Sequence, residues 1–530
     1  MRMKLSTKIL LVVILILALV IRVYQLDHIP SSISWDEAAV GYNGYSIANW
    51  GRDEYGKFFP LFFKSFSDDK HPVHVYATAI FVKILGLNEF STRLPSALFG
   101  VLNVLLIYFL AKTIFKKDTI GIVAAAFLAI SPYNIHFSRF NHEANLTLFF
   151  YMLGLLLFYL SFAKKILLPL SIFSFCLSFL SYHPAKVLVP ITVFLLLGVY
   201  YKGILKNKAG LHTSIVILAG LGLLVYFNPQ LLGLARINQN TLNEDRIKTT
   251  YLYKLTQSQL FGRLNLIAIQ YSWHFSPEFL FITGDKNPRL SAQKGQFYWF
   301  DLPFVLAGLV YLLYKRSKEG LVLMVWFFAS PLPSSLVAEA PHVARASFMM
   351  GSWQLISALG IYFLIRLIRW SVVRWGAILV SSMVLSISFF NFLTYYFGEY
   401  AKRYAIEWQY GMRQIVEYVK DHPEYGEVYM TEVRSQPYIF FLYYLKTPLP
   451  EYLDTVIFNN TGSKSYNNVS NFHQYYFGGW DKAQSFPQKG ILYIVTPSEY
   501  DGLSHRNEFD VKRLIKYPNG SSAFYLVTSD

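Results

Sequence analysis

Cysteine is nearly absent from this sequence, and acidic residues are few. A single cysteine in 530 residues, Cys176, leaves neither a disulfide framework nor a cysteine metal site to organise the fold. Charged residues make up only 15% of the chain, against 54% hydrophobic and 18% aromatic, which excludes an ordinary soluble surface. Glycine-rich phosphate loops are missing as well: neither a Walker loop nor a Gly-x-Gly-x-x-Gly precedes a helix, so a nucleotide is a poor candidate ligand. Acids are outnumbered by bases, 32 to 48, for a net charge of +16. The excess does not read as nucleic-acid binding, because the bases fall in short clusters between apolar runs, where the positive-inside rule puts them. No internal repeat or low-complexity linker is found.

What is present is a polytopic membrane protein. Apolar runs long enough to span fall at about 8–24, 94–114, 119–138, 144–163, 166–182, 185–201, 211–228, 300–314, 320–338, 349–367 and 375–397, eleven in all. The first lacks a small-residue cleavage site before Tyr24 and reads as an uncleaved span rather than a signal peptide. A twelfth run, 71–86, carries His71, His74 and Lys83. Counting it as a span would put the basic clusters after it outside; leaving it out puts the N-terminus, Lys112/Lys116/Lys117, Lys164-Lys165, Lys202/Lys206/Lys208, Lys315-Arg316-Lys318 and Arg366/Arg369/Arg374 all on the cytoplasmic side. The segment 71–86 is therefore expected to lie in the outer interface. The expected domains are 1–398 in the membrane, with a first external loop 25–93 and a large external loop 229–299, and a soluble extracytoplasmic α/β domain 399–530. In that tail a helical stretch, Gln414 to Asp421, alternates with β-rich runs at 426–431, 491–496 and 523–528.

The stretch Ser34-Trp35-Asp36-Glu37 sets two adjacent carboxylates just beyond the first span. Ser34 followed three residues on by Glu37 fits a helix capping box, while an acidic pair at membrane depth points to function. The external face collects further ionisable groups: Lys70, Arg93, Arg139, Glu143, His183, Lys186, His274, His342 and Arg345. Asp36, with Glu37 or Glu143 near it, suits removal of a proton from an acceptor hydroxyl. Lys70, Arg93, Arg139, Lys186 and Arg345 suit a phosphate, and at the outer leaflet without nucleotide machinery that means a lipid phosphate. Arg93 and Lys186 also read as span-end residues snorkelling to headgroups. Asp53-Glu54, within Gly51-Arg52-Asp53-Glu54-Tyr55-Gly56, reads as a polar turn outside the chemistry.

Trp35-Asp36-Glu37-Ala38, Gly51 to Gly56, Asp69-Lys70-His71-Pro72, Arg93-Leu94-Pro95-Ser96-Ala97-Leu98-Phe99-Gly100 and the Arg139 to Glu143 loop resemble glycosyltransferase family 39, which holds the dolichyl-phosphate-mannose protein mannosyltransferases and has the lipid A aminoarabinose transferases as close relatives. The segments His274-Phe275-Ser276-Pro277 and Pro341-His342-x-x-Arg345 resemble bacterial members of unassigned substrate. The resemblance implies a GT-C fold of about eleven transmembrane helices, with Asp36 as the first-loop acid and Lys70 as the lipid-phosphate lysine. It departs at Glu143, four residues after Arg139, where the family usually has Asp. It also implies Asp69 and His274 as a metal pair in aminoarabinose-type members, although others work without metal and no cofactor is required.

The expected activity is transfer of a hexosyl or pentosyl group from a polyprenyl-phosphate-sugar donor to a glycan, lipid or protein acceptor on the extracytoplasmic face of the plasma membrane, the N-terminus being cytoplasmic. Asp36 acts as base in an inverting displacement. His183 and His342 join the cations on the donor side, and Glu37 and Glu143 join Asp36. The rival reading is a transporter or flippase of lipid-linked sugars, against which stand the one-sided charges and the absence of repeats.

Overall fold

The structure, a computed structural model, describes residues 4–66, 68–232, 242–459, 468–480, 487–503 and 505–529; the side chains of Asp68 and Asp69 lie outside the described residues. Among these, seven helices are long and apolar enough to cross a membrane: Leu5–Val23 (α1), Glu89–Phe115, Ala144–Ser161, Ala185–Leu205, Lys208–Phe227, Met349–Leu367 and Ser371–Arg403. The other four expected spans fall on shorter helices, Asp118–Ile130, Leu167–Phe179, Leu302–Lys315 and Lys318–Ala329. Two of them are cut by proline. Pro132 opens a new helix after Ser131, and Pro331 follows the end of Lys318–Ala329, because proline lacks the N–H that would continue the ladder. The segment expected to lie in the interface is a helix of 14 residues, Pro72–Leu85, only about 21 Å long.

Packing divides the chain into two compact units that are not consecutive in sequence. Met1–Tyr24, Ser96–Ser138 and His142–Leu393 form the first; Gln25–Pro95, Arg139–Asn141 and Thr394–Asp530 form the second. The first external loop, 25–93 in the sequence reading and grouped there with the membrane part, falls in the unit that holds the tail.

In the first unit, backbones meet where side chains are smallest. A Cβ on Gly308 would sit 2.1 Å from the Ile356 carbonyl oxygen, and one on Gly360 would sit 1.9 Å from that of Phe304, so Leu302–Lys315 and Met349–Leu367 touch main chain to main chain. Close approach of this kind is how helices associate where the hydrophobic effect is weak. Arg22 at the end of α1 is fully buried and donates to the carbonyls of Ala18, Leu128 and Ala129, to Asn134 Oδ1 and to Ser138 Oγ. These acceptors take up the donors of a cation that would otherwise be costly at that depth.

The second unit is organised around α2, Trp35–Trp50. Ser34 and Glu37 close a full capping box at its start, and Gly51, at φ 66°, ends it in the left-handed region. A short antiparallel hairpin follows, β1 (Phe63–Ser65) with β2 (Asp68–Lys70), pairing Phe63 with Lys70. Then come α3, Pro72–Leu85, with proline at its first position, and α4, Glu89–Phe115. The tail forms a seven-stranded sheet from β3 (Glu427–Thr431), β4 (Ile457–Phe458), β5 (Val469–Phe472), β6 (Tyr475–Gly478), β7 (Ile491–Val495), β8 (Phe509–Lys516) and β9 (Ser522–Ser529), in the order β4-β5-β6-β3-β7-β9-β8. The three β-rich runs read from sequence are β3, β7 and β9, neighbours in that order; β3 is parallel to β6 and β7, and the outer pairings are antiparallel.

Ala38, Ala39 and Tyr42 of α2 belong to the same buried cluster as Val428, Ile494 and Leu526 of the sheet and Tyr438 to Tyr443 of the helix Pro437–Leu445. Small residues make this possible. A Cβ on Gly41 would lie 2.6 Å from a Tyr443 ring carbon and 2.8 Å from Thr92 Oγ1, and one on Gly44 would lie 3.2 Å from the Ala79 backbone nitrogen of α3. Gly41→Leu is accordingly expected to lower stability by about 1–3 kcal/mol through overpacking, read as a fall in the thermal midpoint of the purified chain. Gly220→Leu, with open space around the position, is expected to leave the midpoint unchanged.

Candidate active site

Asp36 and Glu37 are neighbours with opposite surroundings. Glu37 is inaccessible to solvent, and both its oxygens are taken: Oε1 accepts from Arg93 Nε at 2.9 Å and from the Asn141 backbone at 2.9 Å, and Oε2 accepts from the Ser34 backbone at 2.9 Å and from Arg93 Nη2 at 3.3 Å. Arg93 is equally buried, and its remaining donors go to the carbonyls of Leu26 and Pro30, each at 3.0 Å, and of Ser32. One guanidinium therefore holds the segment between the first span and α2 in place. Arg139 does the same one step upstream, donating to the carbonyls of Gln25 and Ile29 while stacked 4.7 Å from the Phe397 ring. Burial brings Arg139 down to about 10.

Asp36, at the second position of α2, keeps 37% of its side chain exposed. Its Oδ1 lies 2.7 Å from Lys70 Nζ, itself 16% exposed. Lys70 ends β2 and is followed by His71 and the first proline of α3, so the hairpin delivers it to the start of α2. His74, one turn into α3, meets Asn141 Oδ1, and Asn141 Nδ2 reaches Thr78 Oγ1 at 3.1 Å and the Thr92 carbonyl. The capping box and the ion pair coexist: Glu37 serves the helix, and Asp36 is the carboxylate a reactant can reach.

The first unit carries the other residues singled out in the sequence. Glu143 precedes Ala144–Ser161, with Oε2 3.6 Å from His142 Nδ1. Lys186 Nζ lies 3.2 Å from His183 Nδ1. Arg345 Nη2 pairs with Glu339 Oε2 at 3.0 Å, and its backbone N–H points to His342 Nδ1 at 3.4 Å. This turn is held by a carboxylate the sequence reading passed over: buried Asp285 accepts from the Val343 backbone at 2.8 Å and from Asn287 at 2.9 Å. Burial raises its pKa against the pull of those N–H groups and of Arg345. His274 is buried with Nδ1 against the Gln270 carbonyl at 2.9 Å, and burial takes it down to about 4, so it is neutral at physiological pH. A neutral ring bonded through Nδ1–H offers Nε2, the form a metal ligand takes, but one nitrogen is not a metal site. The Asp69 side chain lies outside the described residues, and among those described no three His, Cys, Asp or Glu side chains gather for a metal.

Glu54 is the residue most misjudged from sequence. In place of a solvated turn, it is fully buried: Asn43 Nδ2 of α2 donates to Oε1 at 3.1 Å, its own backbone N–H donates to Asn43 Oδ1 at 2.9 Å, and Tyr438 of the tail donates to Oε2 at 3.2 Å. Burial pushes its pKa from 4.5 up to about 8, with Asp53 adding to the rise and Lys64 opposing it. The folded protein thus keeps the proton over a range where the unfolded chain has lost it, and stability falls as pH climbs from about 4.5 to 8. Glu54→Gln should remove this dependence. Thermal unfolding at pH 5, 6.5 and 8 is expected to show the wild type losing stability relative to Glu54→Gln by at most ~1.4 kcal/mol per pH unit; parallel profiles would show that Glu54 is ionised in the fold.

Residues 69–235 match the family described as dolichyl-phosphate-mannose-protein mannosyltransferase. YycA, a proposed mannosyltransferase of Bacillus subtilis (strain 168), is 31% identical over 144 residues, 27% of this chain and 20% of that protein, so the match spans about a fifth of the relative's length. Two solved structures resemble the chain more broadly. ArnT from Cupriavidus metallidurans bound to undecaprenyl phosphate covers 99% of this chain and 98% of its own, at a TM-score of 0.58 and 13% identity. The Archaeoglobus fulgidus oligosaccharyltransferase AglB, in complex with an inhibitory peptide and a dolichol-phosphate, covers 83% of this chain and 64% of its own, at a TM-score of 0.52 and 14% identity; it has also been solved with Zn and sulfate. The chain is an integral membrane protein with the GT-C fold of these glycosyltransferases, and it carries in residues 69–235 the match to the protein mannosyltransferase family.

Proposed function

We propose that this protein transfers a sugar from a polyprenyl-phosphate-linked donor to an acceptor hydroxyl on the extracytoplasmic side of the membrane, with Asp36 as general base. The observation that carries the reading is the pair Asp36–Lys70, a part-exposed carboxylate 2.7 Å from an ammonium, mounted on a helix whose own start is fixed by buried Glu37. Similarity to ArnT bound to undecaprenyl phosphate and to AglB with a dolichol-phosphate supports the class of donor.

The chemistry is a single displacement. The Asp36 carboxylate takes the proton of the acceptor hydroxyl, the acceptor oxygen bonds to the anomeric carbon, and the bond from that carbon to the phosphate oxygen breaks with inversion. The departing lipid phosphate gains negative charge, and Lys70 is placed to meet it. Arg93 and Arg139, whose donors go to main-chain carbonyls, act as positioning residues for the segment that carries Asp36. Arg345, His342, Lys186 and His183 remain the donor-side groups proposed from the first unit, and Glu143 a second acid. No step is routed through a metal.

Asp36→Asn is expected to fold and bind donor while turnover falls by about 10² or more. Lys70→Met is expected to remove roughly 1.5–3 kcal/mol of a charge-assisted contact, raising donor KM or lowering kcat while acceptor KM stays within about twofold. Both are read with a radiolabelled polyprenyl-phosphate sugar. Near-normal turnover by Asp36→Asn would remove it from the role of base.

A further inference from the structure

An apolar groove runs between α2 and α3, lined by Ile47, Ala48, Tyr76, Ala79, Ile80 and Ile84, with Lys83 on its rim and a volume of about 460 Å³. It is open: Ile80 is 61% and Ile84 73% exposed. Its Tyr76 end continues into more bare apolar surface, since Phe59 stacks on Tyr76 at 6.4 Å and Phe58 packs edge-on against Phe59 at 4.7 Å. A soluble protein would bury such a strip; here it lies on a helix too short to span.

Among the described side chains of the segments that flank the groove, the exposed charges have one sign. In 49–66 and 72–86 the exposed ionisable residues are Arg52, Lys57, Lys64 and Lys83, while both acids of those segments, Asp53 and Glu54, are buried. Arg52 and Lys57 lie over the Phe58 and Phe62 rings, 6.0 Å and 3.9 Å from the centroids, which keeps cations beside the apolar strip. Lys83 Nζ donates to Asn49 Oδ1 at 3.0 Å, a neutral acceptor that fixes the ammonium at the groove mouth without discharging it.

We infer that this groove binds an anionic phospholipid of the surrounding leaflet, one acyl chain lying along Ile47, Tyr76, Ile80 and Ile84 and the headgroup phosphate resting on Lys83. A cavity of this size falls in the range of small-molecule sites, and its walls offer an acyl chain no polar group to desolvate. The neighbouring cations select against a zwitterionic headgroup. The lipid would lie between α2, which carries Asp36, and α3, which follows Lys70 in the chain, yet its binding does not depend on what reaction that pair performs.

The test uses the purified full chain in phosphatidylcholine nanodiscs containing a trace of phospholipid with a photoactivatable diazirine in one acyl chain. The probe is phosphatidylglycerol or, separately, phosphatidylcholine with identical chains, and labelled residues are mapped by mass spectrometry. Groove residues 76–84 are expected to be labelled about fivefold more by the phosphatidylglycerol probe, the preference one lysine supplies at a membrane surface. Lys83→Gln should bring the ratio close to one and leave labelling by phosphatidylcholine unchanged; Ala48→Phe, filling the groove, should lower labelling by both probes. Equal labelling of the wild type by the two probes would overturn the proposal in favour of ordinary bilayer contact. Loss of groove labelling on adding stoichiometric undecaprenyl phosphate would overturn it in favour of the donor's own chain.

Discussion

Two ionised side chains with no access to water, Glu37 and Arg93, hold the candidate site in its shape. Taking such a pair out of water is expensive, and it persists only when every remaining donor and acceptor is met. Here they are met by the protein's own main chain. Leu26, Pro30 and Ser32 offer carbonyls, and Ser34 and Asn141 offer N–H groups, so one ion pair ties the segment Leu26–Ser32, the start of α2 and Asn141 into a single network. Removing one partner would leave a buried charge uncompensated, a loss of about 3–5 kcal/mol that most domains of marginal stability cannot bear. Every part of the site that moves with α2 therefore depends on this pair.

The same pair explains why two adjacent carboxylates can have separate tasks. In a helix, successive residues point about 100° apart, so the first turn turns Glu37 inward while leaving Asp36 at the rim. Glu37 takes the capping role, while Asp36 stays 37% exposed at the rim with Lys70 Nζ 2.7 Å away. A buried cap and a part-exposed carboxylate are neighbouring positions within one motif.

Much of this was legible in the sequence because it is written in local pattern. The capping box needs only Ser34 and Glu37 at the right spacing, the short helix Pro72–Leu85 was isolated by the charge clusters around it, and the strands at 427–431, 491–495 and 522–529 follow from β-branched and aromatic runs. What escaped depends on partners far along the chain. Glu54 reads as a solvated turn until Tyr438, 384 residues later, is brought against it. The burial of Arg93 and Arg139 against main-chain carbonyls also escaped, since a backbone acceptor leaves no trace in residue identity. Asp285 was passed over for the same reason: its partner is the N–H of Val343. Helix boundaries are a different matter. Apolar composition runs through Pro132 and Pro331, but hydrogen-bonded helix does not.

The tail gains a meaning from this arrangement that its own sequence does not suggest. Its helix Pro437–Leu445 is buried along its length and packs on α2, Tyr42 donates to the Thr447 carbonyl at 2.9 Å, and Thr92 meets the Tyr443 hydroxyl at 2.7 Å. A module attached only to present an acceptor would keep its own core closed and touch the first loop through a polar, separable surface. Here the core is shared: Ala38, Ala39 and Tyr42 lie in one buried cluster with the tail, and Gly41 leaves room for the Tyr443 ring and Thr92. The residues that flank Asp36 in sequence are thus tail core in space. A shift of that helix would be transmitted to α2 through close-packed contacts that tolerate little displacement, which makes the tail part of the framework around α2 and not an accessory to it.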